Sequence, residues 1–496
     1  MKRSFAHIML VALLVQSANG QISWTPVGPG AGSFLMSIAI HPENPDILYV
    51  GGDIEGVYKS VDGGDTWRSM STGLQGDNRT ASVYAVQELV IDPVDHETIY
   101  ASTWSGLFKS FNGAETWSEI SPIVATEDAV PYSFVTVDPG NNQIVYTGIG
   151  DADPNEDGTG EVFRSLDAGQ TWELLDTGFP DDAVIHGIAI VTDTPVDNRT
   201  ILVSTGAGVF RSLDNGSSWE AANSGLPHTN VRRLVYRGDT SPGTLFLSIH
   251  SEGDPSDPST FKGGLYKSTD LGASWSSIDG NLPAVPYEDP DDPPPFYDYW
   301  KFAIHPNDAN TILTGSNLGG WSDLWGIHRT TDGGATWEKA DLQITRGWLD
   351  EVWWNDDNIS ILEFAPNDPN IIYAGSEFVQ KSTDGGTSWT QVYTERVGNA
   401  WRTRGMELME AYAVAFHPTD PNVVFVGYDD MGIWRSDDGA SSFLRLDETQ
   451  KPGGFDSVSS IVIDPVHRDR LHFTRQRRER LYARRPLLDR SGLEER

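Results

Sequence analysis

The 496-residue chain contains no cysteine. That excludes disulfides, thiolate catalysis, Cys-ligated zinc and a lipid-anchored cysteine, so the fold must hold through its core and its backbone ladders. Long apolar runs are also missing. The apolar stretch Ile8–Val15 is too short to cross a bilayer and no later segment is longer, so no membrane insertion is expected. Positive charge is scarce: 35 Lys and Arg face 71 Asp and Glu, a net charge of −36. Such a balance opposes nucleic acid and anionic membranes and suits neutral polymers or cations.

What is present begins with a leader pattern. Lys2 and Arg3, the apolar run and Ala18-Asn19-Gly20 read as a cleavable signal peptide over residues 1–20. A secreted or periplasmic protein is expected. Fifty glycines and 29 prolines then announce many turns.

One phrase returns eight times. SVDGGDTW ends at Trp67, SFNGAETW at Trp117, SLDAGQTW at Trp172 and SLDNGSSW at Trp219. STDLGASW ends at Trp275, TTDGGATW at Trp337, STDGGTSW at Trp389 and SDDGASSF at Phe443. Between copies lie an alternating apolar segment, a Pro/Asn/Asp turn, a second apolar segment ending in a small residue, and a third of the GVYKS type. This predicts four antiparallel strands per unit, and four-stranded units at this period are blades of a β-propeller.

The box chemistry is turn chemistry. Asp62, Asp167, Asp214, Asp270, Asp332 and Asp384 are placed to accept backbone N–H bonds, and the glycine two residues on permits a positive φ. These aspartates are expected to be structural. The strings resemble the Asp-box, or BNR, repeat, and the resemblance covers roughly Trp24 to Pro465. Asp-boxes occur in sialidases, glycoside hydrolase family 74 endoxyloglucanases, sortilin-type receptors and photosystem II assembly factors. The repeat therefore implies the fold and leaves the function open.

The expected architecture is all-β: a seven-bladed propeller over residues 21–410, then an eighth repeat and the start of a ninth over residues 411–465, beginning an incomplete second propeller. Residues 466–496 are Arg-rich and expected to be disordered; ten Arg from Arg468 onward resemble a shifted reading frame or a truncation more than a nucleic-acid arm.

The insertions gather on one face, in the connections between second and third strands and in the crossings between units. Trp104, Trp300, Trp321, Trp325, Trp348, Trp353, Trp354 and Trp401 lie in or beside them. Such rings either offer platforms to sugar rings or pack the long loops onto one another. Asp151, Asp153, Asn155 and Asp157 are spaced like a calcium loop, yet the glycine and the closing glutamate are absent. That leaves a weak structural calcium site or a solvated loop, with no cofactor required. Glu288–Pro295 reads as a stiff rim, and Asp350, Glu351, Asp356 and Asp357 sit among three tryptophans as a second acidic candidate.

Asp53 in GGDIEGVYKS and Asp429 in GYDDMGIWRS occupy equivalent loops, each three residues before the glycine that opens a third strand. Either they cap those strands or they do chemistry. Family 74 enzymes carry a D-I-G-G-like motif at the first blade of each of two facing propellers. The resemblance implies Asp53 as base and Asp429 as acid of an inverting hydrolysis, on a polysaccharide or oligosaccharide such as xyloglucan. Glu55, Met431 and the adjacent Asp430 depart from the motif. The alternative is a non-catalytic propeller that binds a protein, peptide or glycan on the same face.

Overall fold

The structure is a computed structural model that describes residues 26–30, 34–53, 56–74, 85–123, 132–150, 160–175, 178, 183–238, 243–254, 257–282, 299, 301–315, 326–340, 344–348, 359–376, 378–406, 411–428, 431–446, 456–464, 466–467 and 470–477. Eight antiparallel sheets follow one another along the chain, each with its four repeat strands paired in sequence order. In the first, Leu35–Ile40, Leu48–Gly52, Val57–Ser60 and Arg68–Ser69 run from the innermost strand outward. The fold is a β-propeller. Helix among the described residues is limited to short 3-10 turns, at Val196–Asn198 and at 347–348.

The cores sit between sheets. Leu35, Val50 and Trp67 of the first sheet pack on Ile361, Tyr373 and Val392 of the seventh. Comparable seams join first to second, second to third and onward to the seventh. The second strand narrows where the next sheet crosses it. A Cβ on Gly51 would stand 2.7 Å from Val86 of the second sheet.

Two sets of polar links follow the same order. The box indole of one sheet donates to the preceding sheet: Trp117 Nε1 to Met70 O at 2.7 Å, Trp172 to Ile120 O at 2.8 Å, and Trp67 to Val392 O at 2.8 Å. In the other direction a third-strand cation reaches the next box. Lys59 Nζ donates to Gly113 O at 3.0 Å, Lys109 to Ala168 O at 2.9 Å, Lys267 to Gly333 O at 3.1 Å and Lys381 to Gly63 O at 2.8 Å. Both sets return from the seventh sheet to the first, where Leu35 N also donates to Ser376 O at 2.8 Å. The eighth box ends in Phe443, which has no indole N–H to give.

Inside each box the turn is hydrogen-bonded throughout. Asp62 Oδ1 accepts from Thr66 N at 2.7 Å and Oδ2 from Thr66 Oγ1 at 2.6 Å, while Ser60 Oγ accepts from Gly64 N at 2.8 Å. The same bonds recur at Asp167, Asp214, Asp270, Asp332 and Asp384. The residue before the box glycine is also left-handed, and it is not always glycine: Ala168, Asn215 and Leu271 have φ of 57°, 63° and 58°. That position presents the carbonyl the neighbouring Lys or Arg takes, a reason for its conformation that composition does not reveal.

Strand pairing extends beyond the four-strand units in three places, and the third corrects the expectation of a disordered tail. The connection around SIHSEGDPSDPSTFKGG continues the second and third strands of the fifth sheet as a long ribbon, Thr244–Asp254 paired with Asp257–Ser268. The crossing after the seventh box forms a hairpin, Thr394–Val397 with Ala400–Thr403. In the tail, Leu471–Arg477 pairs with Asp456–Ile463 despite its arginines, because a short hairpin turn brings the two segments into register. The residues beyond it lie outside the described set.

Candidate functional site

The connections between second and third strands share one face. Asp53 stands there, directly after Leu48–Gly52, half-buried. Its N–H donates to Phe34 O at 3.0 Å, and Gly52 N reaches across the turn to Gly56 O at 2.9 Å. Gly56, at φ 79°, adopts the left-handed geometry that closes this turn. The Asp53 backbone is thus fixed at a strand end rather than on a free loop.

The matching turn of the eighth sheet follows Val424–Tyr428 and reopens at Gly432, φ 73°. Asp429 and Asp430 between them lie outside the described residues, as do Trp300, Trp321, Trp325, Trp353, Trp354, the calcium-spaced group from Asp151 to Asp157, Glu288–Pro295 and the acidic group from Asp350 to Asp357. Among the described residues no group of three or more His, Cys, Asp or Glu is placed to hold a metal.

Trp104 occupies the second sheet's equivalent of the Asp53 turn, 37% exposed, its N–H bonded to Ala85 O at 3.1 Å. The structure therefore brings one carboxylate and one accessible ring to neighbouring turns of one face. Trp348 and Trp401 are different. Both are buried, with Trp348 only 1% exposed, so neither offers a platform. Trp348 donates Nε1 to Gly30 O at 2.7 Å and meets Trp434 of the eighth sheet edge-on at 5.3 Å between ring centroids. Trp401 exchanges backbone hydrogen bonds with Phe443 at 2.8 and 2.7 Å. Of the two roles open to these rings, packing wins here because the eighth sheet needs an apolar seat beside the seventh.

A group the sequence did not signal lies on the inner strands, towards the same end as the Asp53 turn. Glu88, Arg233, Lys301 and Glu363 come from the second, fifth, sixth and seventh sheets and face one another, each half-buried. Burial pushes the Glu88 and Glu363 carboxyls up and Lys301 down to about 8, while the opposite charges across the group work against both shifts. Lys301 Nζ also donates to Met36 O of the first sheet at 3.2 Å. Side chains from sheets this far apart in the succession can meet only where the inner strands converge.

Comparison with known proteins gives the same fold. A crystal structure of an ancestral glycoside hydrolase family 74 enzyme superposes with a TM-score of 0.69 at 19% identity, covering 92% of this chain and 60% of that one. The family 74 xyloglucanase of Xanthomonas campestris gives 0.60 at 18%, covering 88% and 71%. In sequence, the chain is 26% identical to xyloglucanase Xgh74A of Acetivibrio thermocellus over 353 residues, 62% of this chain and 38% of that protein. A xyloglucanase of Hypocrea jecorina is 22% identical over 510 residues, 92% and 55% of the two chains. The chain thus spans about 38–55% of the length of these relatives. The family described as Sortilin, neurotensin receptor 3, matches residues 160–297. The chain resembles the family 74 propellers.

Proposed function

We propose that this protein is an exported propeller that hydrolyses a β-glucan such as xyloglucan with inversion, on the face that carries Asp53. The observation that supports this reading most is the sequence similarity to xyloglucanases from different organisms, which extends over 62–92% of the chain. In this reading residues 21–410 form a seven-bladed ring, and the eighth sheet opens a second unit whose second-to-third turn holds Asp429.

An inverting hydrolase needs a carboxylate that takes a proton from water and a carboxylic acid that protonates the departing glycosidic oxygen. The two stand roughly 6.5–9.5 Å apart, so that water fits between base and sugar. Asp53 would be the base. Asp429 would be the acid, its pKa raised by its surroundings. Water attacks the anomeric carbon, the glycosidic bond breaks, and the two carboxyl groups exchange protonation states. Trp104, with Trp300, Trp321, Trp325, Trp353 and Trp354, would supply stacking surface along the glucan.

A binding module without chemistry is the second reading, favoured by the sortilin-family match over residues 160–297, which contains the long ribbon of the fifth sheet. Reducing-end release from xyloglucan and mixed-linkage glucan separates the two, measured on wild type, Asp53→Asn and Asp429→Asn beside binding isotherms. Cleavage abolished in both variants with binding retained supports the hydrolase. Binding without cleavage by wild type, or equal cleavage by all three, leaves the module.

A further inference from the structure

The box face carries a cavity of about 740 Å³ at the seam between the second and third sheets. This seam differs from the others. Trp172 is half-buried, whereas Trp67, Trp117, Trp219, Trp275, Trp337 and Trp389 are each at most 8% exposed. The second box places Phe111 where the other boxes have Val, Leu, Thr or Asp, and that ring is 65% exposed at the cavity wall. A large ring left bare inside a concavity is poorly placed in water unless something covers it.

The polar wall is built. Asp92, 2% exposed, accepts from Val94 N at 2.9 Å, from Asp95 N at 3.0 Å and from Asn142 Nδ2 at 3.1 and 3.2 Å. Those bonds hold the Asn142 amide, which in turn accepts from Gln143 Nε2 at 3.3 Å. Lys109 is buried, gives one N–H to Ala168 O, and lies over the Tyr100 and Phe111 rings at 4.8 and 4.7 Å. Burial pulls its pKa down, and Asp92 and Asp95 beside it work against that shift. Glu119 and Ser121, hydrogen-bonded at 2.8 Å, complete the opposite side.

We infer that this cavity is a saccharide-binding site separate from the Asp53 face, taking a short neutral oligosaccharide. Phe111 and the accessible part of Trp172 supply flat apolar surface for pyranose C–H faces. The oriented Asn142–Gln143 amides and the Asp95 and Glu119 carboxylates supply partners for hydroxyls. A cationic ligand fits less well, because the wall already holds its own ammonium and Asp92 is saturated by internal donors. The inference does not rest on the hydrolase reading, since binding here involves no bond cleavage.

The test uses the full chain and isothermal titration with cellotetraose, mannotetraose and galactotetraose, and with spermidine as the cationic control. Asp53→Asn is the background, so that hydrolysis does not intrude. Phe111→Ala and Gln143→Ala alter exposed side chains, and unchanged melting temperatures certify their fold. The expected result is that one of the tetrasaccharides binds, that each variant weakens it at least ten-fold, and that Trp104→Ala on the opposite face leaves it unchanged. No binding of any tetrasaccharide, equal binding by Phe111→Ala, or loss of binding on Trp104→Ala overturns the site. Spermidine bound in a Phe111-dependent way, with no saccharide bound, makes it a cation site and overturns the inference equally.

Discussion

Arg233 of the fifth sheet places Nη2 3.8 Å from Glu363 Oε2 of the seventh, passing over the sixth. Neighbouring sheets meet through apolar seams, but these two meet through charge, close to Glu88 and Lys301. The inner strands thus converge on an ionic plug rather than on a second hydrophobic core.

Removing one member of that plug should cost more than removing a pair. Glu363→Gln leaves Arg233 and Lys301 under-compensated and is expected to lower stability by about 2 kcal/mol, the fully buried figure being discounted for water access. Glu363→Gln with Arg233→Met should recover at least half of that loss. Melting temperatures of the two single variants and the double variant check this; strictly additive losses would show that the charges do not act together.

Lys381 and Arg435 occupy the same third-strand position in the seventh and eighth sheets, yet only Lys381 Nζ bonds a neighbouring box, at Gly63 O. Arg435 instead pairs with Asp437 of its own box, Nε to Oδ1 at 2.8 Å. Lys381→Met is expected to destabilise by about 1–2 kcal/mol through the lost charged hydrogen bond. Arg435→Met should change stability by less than about 0.5 kcal/mol, because an exposed local pair contributes little. Thermal melts of the two variants compare them directly.

The box aspartates set an acid limit. Hydrogen bonds from Thr171 hold Asp167 down to about 2, and Thr336 does the same for Asp332, against an ordinary value of 3.8. A carboxyl depressed in the folded state contributes stability that is full above 3.8 and is lost as pH falls through about 2. Melting temperature should therefore drop between pH 4 and pH 2, with several boxes titrating together. Asp332→Asn should shallow that slope, as the second box already does: Asn112 Oδ1 accepts from Thr116 N at 3.0 Å without a charge.

Trp348→Ala should release the eighth sheet and leave the first seven sheets in place. The side chain fixes Gly30 O and packs on Phe378, Tyr393 and Trp434. Truncating so large a buried ring costs about 3–5 kcal/mol locally. Limited proteolysis should then cut between residues 404 and 446 much faster than in wild type, while the first seven sheets resist as before.

Much of this fold was legible because each box is local. Ser60, Asp62, Gly64 and Thr66 complete their bonds within seven residues, so the pattern survives in sequence whatever surrounds it. The plug was not legible. Glu88 in VQELVI and Glu363 in ILEFA each look like one solvated position on an alternating strand, and only the convergence of inner strands turns those positions toward one another. The lysine of GVYKS was equally silent, since its partner carbonyl lies 54 residues away. Among the candidate site residues, Asp53 and Trp104 each directly follow the second strand of neighbouring sheets. Trp348 and Trp401 offer no platform, because aromatic content near a long connection signals a need for burial as readily as a need for contact.

The bond between Trp67 Nε1 and Val392 O spans 325 residues of chain. Protein synthesis runs at about 5–20 residues per second, so the first sheet waits roughly 15–65 s for its last neighbour to be made. Throughout that interval Leu35, Ile40 and Val50 face water on one flank, and the newest sheet exposes its own flank as it emerges. A growing chain of this kind is a row of adhesive edges until its two ends meet. Its vulnerability to aggregation is concentrated in that interval and falls when the seventh sheet reaches the first.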